Sequence, residues 1–319
     1  MGRPVTVVLI TWNSAPYLRR CLEGIAGQTH SDLELVHVDN ASSDESVARV
    51  RQRFPQTRQI INGENRGFAG AANQAIRVAG GEFVALCNPD AFLTPDYLAK
   101  TIEALDRAGE SFGAATGKLM RGQGFEIALT DEIDSMGIRM TRSGRHFDIT
   151  DNRQLTTGNQ IFGVSGAAAV YRRSFINDVT INDQFFDEDF FAFREDADVA
   201  WRGRLLGWRA LYVPEAVAWH VRTVRPERRR SLPAAINMHS VKNRFLLRLK
   251  NEGLYLAVRN APFELTRDAV VIAAALTVER SSFPALAWLW RNRSRILAKR
   301  RAVQQRRRVS DRALAEWFR

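Results

Sequence analysis

Short β-branched runs alternate with helical patterns from the first residues of the chain, and this rhythm limits the architectures open to it. Val5–Thr11 (VTVVLIT) reads as a buried strand, and Ser14 reads as the cap of a helix carrying Tyr17, Leu18, Cys21, Leu22 and Ile25 at helical spacing. Leu33–Asp39 predicts a second strand, and Ser42 with Glu45 a capping box for the helix that follows. Gln59–Asn62 is a third strand, Gly67–Ala79 a helix of small residues, and Glu82–Asn88 a fourth strand. Thr94-Pro95 then reads as a cap with proline at the first helical position. This alternation predicts a parallel α/β sheet, in which ligands sit beyond the carboxyl ends of the strands.

Residues 121–160 are polar and glycine-rich and read as an excursion over the sheet. Structure resumes between Ile161 and His220, with an apolar segment near Gly163–Tyr171, an acidic aromatic stretch, a helix near Val199–Leu206 and a strand at Ala210–Pro214. Past His220 the chain turns helical and basic. The predicted organisation is therefore an α/β domain over 1–220 and a basic, mainly helical region over 221–319.

Charge follows the same division. The 319 residues carry a formal +11, yet residues 1–220 hold 23 basic and 28 acidic side chains, net −5, and residues 221–319 hold 23 and 7, net +16. Nucleic-acid binding by the whole chain is thereby disfavoured, because most of it is slightly acidic. A nucleic-acid-binding protein using the Arg-rich tail is the alternative from another class, though it calls for basic residues and base-stacking aromatics across a domain face, whereas the arginines gather in one tail. Cys21 and Cys87 lie in apolar contexts without metal-ligand spacing and read as reduced core thiols. The N-terminal run is a strand rather than a signal peptide. The longest apolar stretch, Ala269–Val278, is about half of what a membrane span requires. The expectation is a cytoplasmic protein, peripheral on the cytoplasmic face of the membrane.

The strand ends supply the candidate site. Thr11 and Asn13 follow the first strand, Asp39 and Asn40 the second, and Asn88 and Asp90 the fourth. Asp39 suits a pyrimidine ring N–H or a ribose hydroxyl, and equally an Asx turn. Arg66, at the mouth of the small-residue helix, suits a phosphate; alone, it is also an ordinary solvated arginine at a glycine turn. Asn88-Pro89-Asp90 can place a carboxylate on a hard divalent cation or form a plain turn. Between Phe186 and His220, Asp187, Glu188, Asp189, Glu195, Asp196 and Asp198 are interleaved with phenylalanines, a setting that raises a carboxyl pKa toward general-base use. His220 is a core histidine or a metal ligand. No GxGxxG follows the first strand and no P-loop is present, so neither a dinucleotide cofactor nor a nucleotidyltransferase loop is signalled.

Together, VVLITWNSAPYLRRCLEGIAGQT (Val7–Thr29), VDNASSDES (Val38–Ser46), NRGFAGAANQAI (Asn65–Ile76), NPD (Asn88–Asp90) and FDEDFFAFREDADVAWRGRLLGWRALYVPEAVAWH (Phe186–His220) resemble the family 2 inverting glycosyltransferases of the GT-A fold, and among them bacterial rhamnosyltransferase-like members. The resemblance implies that Thr11, Asn13, Asp39 and Arg66 hold the nucleotide of a dTDP- or UDP-sugar, with Asp39 on the pyrimidine. It implies that Asn88 and Asp90 stand at the family's Asp-x-Asp motif for Mg2+ or Mn2+, with Asn in place of the first acid. His220 would complete the metal shell. Within Glu195-Asp196, Asp196 matches the catalytic base, while Asp187, Glu188 and Asp198 would bind acceptor or support the base. The implied activity is transfer of a sugar, L-rhamnose from dTDP-rhamnose, to a lipid-linked or polysaccharide acceptor in cell-envelope glycan synthesis. A UDP-hexose or galactofuranose transferase is the nearest alternative.

The basic tail points toward an anionic membrane surface. Phe245, Leu246, Leu249, Gly253, Leu256 and Ala257 share a predicted helical face, with Lys242, Arg248 and Lys250 largely off it, and Trp288 and Trp290 precede a dense arginine run. A helical subdomain packed on the catalytic body, with a solvated basic face, is the competing reading.

Overall fold

The computed structural model describes residues 3–123, 128–222 and 234–319. Its first half follows the expected alternation: β1 (Val5–Thr11), α1 (Ala15–Ala26), β2 (Leu33–Asp39), α2 (Ser46–Arg53), β3 (Arg58–Ile61), α3 (Gly67–Val78) and β4 (Phe83–Cys87). β1 pairs in parallel with β2 and β4, and β2 with β3. β1 and β4 are covered on both faces, which is why they read as unbroken apolar runs.

Beyond β4 the sheet departs from the expected parallel form. The chain continues through β5 (Ala91–Leu93), α4 (Tyr97–Ala108), β6 (Phe112–Gln123), β7 (Ala128–Ser135), β8 (Ile138–Met140), β9 (His146–Asp148), β10 (Thr156–Ile161), β11 (Ala169–Arg172), α5 (Arg173–Val179), α6 (Glu195–Leu205) and β12 (Arg209–His220). Among the described residues these build a ten-stranded sheet in the order β10-β12-β6-β11-β4-β1-β2-β3, with β5 on β12 and β7 on β6; β8 and β9 form a separate hairpin. β11 runs antiparallel to both β4 and β6, because the chain reaches it through the strands β7–β10 rather than through a crossover helix. The polar excursion is thus largely strand, and the sheet is mixed.

Three local expectations change as well. Ser14 makes no capping bond; its Oγ accepts from Trp12 N at 3.1 Å, and Asp44 takes the Ala15 N–H instead. The Ser42–Glu45 capping box is absent, since α2 opens only at Ser46 and Ser42 is drawn to Asp39. The helix placed at Thr94-Pro95 begins at Tyr97, because Ala91–Leu93 pairs with β12 and Thr94 is held by Val217 O.

The tail forms α7 (Ala234–Asn251), α8 (Leu254–Leu276), α9 (Phe283–Arg291), α10 (Arg293–Gln305) and α11 (Asp311–Leu314). It packs on the α/β body through one apolar cluster, in which Phe162, Phe190, Ala197 and Trp201 meet Leu246, Leu247, Leu256, Ile296 and Phe318. The face predicted across Phe245–Ala257 does not exist as one stripe, because the helix breaks at Glu252-Gly253. Lys242, Arg248 and Lys250, expected to lie off the packed side, are buried; Arg248 and Lys250 meet carboxylates inside, and Lys242 donates to the Asp189 carbonyl.

Candidate active site

The ends of β1 and β2 are fastened to one another. Asp39 is buried, and its carboxylate accepts from Thr11 Oγ1 at 2.7 Å, from Ser42 N at 2.8 Å and from Ser42 Oγ at 2.6 Å. The Asx turn weighed against a ligand role is therefore present. Thr11 Oγ1 also lies 2.8 Å from His37 Nε2, and His37 Nδ1 lies 3.1 Å from Gln59 Nε2. Burial lowers the His37 pKa to about 4 against the pull of Asp39, so the ring is neutral. One polarity closes the chain: Gln59 donates to His37, His37 to Thr11, and Thr11 to Asp39. Thr11 thus orients Asp39, with no exposed surface of its own.

Asn13 holds a left-handed φ of 50°, and its side chain accepts from Ser43 N at 2.8 Å while its own N–H donates to Ser42 Oγ at 2.9 Å. Asn40 reaches across to α3, donating to Gly67 O at 3.0 Å. Gly67 has φ +71°, and a Cβ there would collide with the Phe191 carbonyl, which accepts the Ala69 N–H at 3.1 Å. Arg66 precedes this helix; its exposed guanidinium makes no hydrogen bond or ion pair with the described residues.

At the end of β4, Asn88 N donates to Ala167 O at 2.9 Å, and the Asp90 carbonyl accepts from Val221 N at 2.9 Å. The latter bond ties Asp90 to the end of β12, where His220 Nε2 lies 3.5 Å from Asp90 Oδ1. His220 Nδ1 is 2.9 Å from Asp134 Oδ2 on β7, and Arg222 bridges Asp134 and Asp148 at 3.2 and 2.7 Å. Burial alone would lower the His220 pKa, but Asp90 and Asp134 outweigh it and push it up to about 10. The imidazolium is thus held between two carboxylates, Nδ1 on Asp134 and Nε2 toward Asp90; a cation held by Asp90 and His220 would displace the Nε2 proton, with the ring still oriented through Nδ1 by Asp134. Among the described residues no group of three or more His, Cys, Asp or Glu side chains is placed to hold a metal ion.

The acidic aromatic stretch is the most strained backbone of the site. Phe191, Phe193 and Arg194 hold φ values of 65°, 71° and 71°, where side chains larger than glycine are disfavoured. Fixed partners hold it there. Asn73 on α3 donates to Phe186 O at 2.7 Å and to Glu188 Oε1 at 3.1 Å. Asn243 on α7, fully buried, places its amide nitrogen 2.8–2.9 Å from the carbonyl oxygens of Phe190, Ala192 and Phe193. Asp187 bonds Lys250 at 2.6 Å and Lys299 at 2.5 Å, and Asp189 bonds Lys299 and Arg295 at 2.8 and 2.7 Å. Burial would raise Asp187, but the two lysines hold its carboxyl well below the usual range. Asp198 is completely buried among Arg202, Lys250 and Asn251 at 2.7–2.9 Å. Asp187 and Asp198 are thus structural hubs, whereas Glu188 is exposed.

Asp196 and Glu195 begin α6 and have different surroundings. Asp196 Oδ2 accepts from Gly166 N at 3.3 Å and Oδ1 from Ala197 N at 2.7 Å. Burial pushes its pKa up to about 6, eased by those N–H bonds and reinforced by Asp148. Glu195 is more deeply buried, and burial with the charge of Asp196 raises its pKa well above the usual range. Its Oε2 has no hydrogen-bond partner. Adjacent residues Gly166 and Ala167 join Asp196 to Asn88, so the base candidate and the β4 end share one loop. Asp134, His37, Asn243 and Lys250 escaped the reading of the sequence because each acts through a partner 26 to 86 residues away, with no local motif.

A model of glycosyl transferase family 2 matches residues 6–180. The chain is 27% identical over 239 residues, 67% of its own length and 75% of the relative's, to the N-acetylglucosaminyl-diphospho-decaprenol L-rhamnosyltransferase of Mycobacterium tuberculosis. Its structure matches the mannosyltransferase PcManGT from Pyrobaculum calidifontis, in complex with GDP-Man and Mn2+, with a TM-score of 0.57 at 22% identity, over 95% of this chain and 85% of the other. GalNAc-T7 with UDP, GalNAc and Mn2+ matches with a TM-score of 0.61 at 14% identity, over 78% and 48%. The common architecture is the GT-A fold.

Proposed function

The chain belongs to glycosyl transferase family 2, and we propose that it moves L-rhamnose from dTDP-rhamnose, with inversion and with the aid of a divalent cation, to a lipid-linked acceptor of cell-envelope glycan synthesis. The rhamnosyl group and the lipid-linked acceptor are supported by the name of the mycobacterial relative, and the cation by the Mn2+ of the two structural neighbours; dTDP as the carrier rests on the family resemblance of the sequence. The observation that carries the chemistry is Asp196: a carboxylate at the start of α6, raised to about 6 and joined through one loop to the strand end that bears Asp90.

In this reading Asp39, oriented by Thr11, accepts a hydrogen bond from the base, and Asn13 and Arg66 line the path of the diphosphate. Asp90 and His220 would hold Mg2+ or Mn2+, with the remaining positions left to diphosphate oxygens and water. Such a cation supplies neutralisation of charge on the departing diphosphate. Asp196 takes the proton of the acceptor hydroxyl as its oxygen bonds the anomeric carbon; the sugar–phosphate bond breaks on the opposite face, and the nucleoside diphosphate leaves with that electron pair. Burial and the neighbouring charge of Asp196 raise the Glu195 carboxyl well above its usual range and disfavour its charged form, which makes Asp196 the better-placed base. Glu188, the exposed acid of the stretch, faces the solvent from which an acceptor arrives.

Incubation of the enzyme and a prenyl-diphosphate-linked N-acetylglucosamine with dTDP-rhamnose, UDP-glucose, UDP-galactose and GDP-mannose tests the reading. The expected result is rhamnosyl transfer with inverted anomeric configuration, dependent on Mg2+ or Mn2+. Transfer from a UDP-hexose alone would overturn the donor; retained configuration would overturn the mechanism.

A further inference from the structure

The most apolar run of the chain is also among its most exposed. Ala269–Val278 contains no charge, and within it Ala275 is the one buried residue. Val270, Leu276 and Val278 are 55%, 53% and 77% exposed. Of the sixteen large apolar side chains exposed among the described residues, thirteen lie between Leu249 and Leu297, so the exposure is regional rather than scattered. At the helical repeat, Leu254, Val258, Leu265, Ile272 and Leu276 of α8 fall within an arc of about 40°, and all five are exposed.

Two sets of cationic side chains in the same region differ in their partners. Arg244, Arg248, Lys250, Arg295 and Lys299 are engaged by Asp268, Glu264, Asp187, Asp198 and Asp189. Arg280 at the elbow after α8, Arg291 and Arg293 at the end of α9, and Arg301 on α10 are exposed and make no ion pair with the described residues. Arg293 stacks on Trp290 at 4.5 Å, and that indole is 69% exposed. The surplus positive charge therefore lies beside the apolar face, and an aromatic ring sits between them.

We infer that α8 and the elbow leading into α9 dock on an anionic lipid bilayer, with the apolar arc in the near leaflet and the arginines of the elbow and α9 at the headgroups. Charge complementarity selects this occupant. A second copy meeting the face by two-fold symmetry would set the same arginines against one another. No single described helix is long and apolar enough to cross a membrane, and the chain bends by 108° at the break between Leu254–Leu276 and Arg280–Arg291. The arc runs the length of α8, so the helix lies along the interface with that side in the near leaflet rather than entering end-on. The contact surface is thus α8 and its elbow rather than the stripe expected on Phe245–Ala257. Sugar and acceptor identity do not enter this inference.

Flotation of the full chain with phosphatidylcholine vesicles, with and without phosphatidylglycerol, tests it, alongside the paired substitutions Leu276→Glu/Val278→Glu and Arg291→Glu/Arg293→Glu. All four side chains are exposed, so the thermal midpoint and transfer to a water-soluble acceptor serve as controls for an intact fold. Wild type is expected to float with phosphatidylglycerol vesicles, and each pair to weaken partitioning by about tenfold or more. Added salt should release wild type in part. A wild-type chain that ignores phosphatidylglycerol vesicles, or a Leu276→Glu/Val278→Glu variant that floats like wild type, overturns the inference. So does a wild-type dimer in light scattering that the same pair converts to monomer. Failure of transfer with vesicle binding intact would count against the proposed reaction alone.

Discussion

Asp196 and Glu195 are adjacent acids with opposite prospects. Asp196 keeps two N–H donors that favour its charged form, while the Glu195 carboxyl meets burial and a neighbouring negative charge. A base with a pKa of about 6 is protonated below that value and cannot accept the acceptor's proton, so kcat/KM should rise with pH through about 6 and level off above it. Asp148 raises Asp196, so Asp148→Asn should move this acidic limb to lower pH in a pH–rate profile; an unmoved limb would show that Asp196 is not the titrating group. The strand-end polar groups and the acid pair were legible in sequence because each sits in a short, recurring string. Their protonation and their partners were not, since the Gly166 N–H and the His37–Thr11 relay arise only when distant strands pair.

At the scale of elements, α6 begins correctly only because the strained loop before it is held. Three non-glycine residues with positive φ are disfavoured by the local chain, and α7 supplies the restraint through Asn243 and Lys250. Asn243→Ala should lower kcat by about 10- to 100-fold with a much smaller loss of nucleotide affinity, because the strand-end groups meet this loop only through Phe191, whose carbonyl accepts the Ala69 N–H; each carbonyl left unpaired costs about 1–3 kcal/mol. Equal losses in kcat and nucleotide affinity would mean a general collapse instead. The periodicities of β1 to β4 were readable because those strands are buried on both faces. The antiparallel insertion of β11 was not, because short apolar strands carry no mark of direction.

Over the whole molecule, the charge divide at residue 220 is not a divide in the core. Phe162, Phe190 and Trp201 of the body share one cluster with the tail, and Asp187 and Asp198 lose their lysine partners if α7 and α10 are removed. A chain truncated after Arg222 is therefore expected to aggregate or to lack a cooperative thermal transition; a soluble, cooperatively unfolding fragment would contradict this. Within the tail, Glu252 is raised to about 8, first by burial and then by Glu264, above its value in an unfolded chain. The stabilising effect of its bound proton is full in acid and is lost as pH rises through about 8. Thermal midpoints of Glu252→Gln should accordingly fall less than those of wild type between acid and about pH 8. The net +16 of the tail thus includes charges that brace the loop before α6 and charges left beside an apolar helix.

The central claim is that Asp196, and not Glu195, removes the acceptor's proton in an inverting transfer. Single-turnover transfer by Asp196→Asn and Glu195→Gln, with nucleotide binding measured on the same preparations, tests it most directly. Asp196→Asn should lose about 100- to 10,000-fold in rate with nucleotide binding intact, and Glu195→Gln should stay within about tenfold of wild type. Near-wild-type transfer by folded Asp196→Asn would contradict the account.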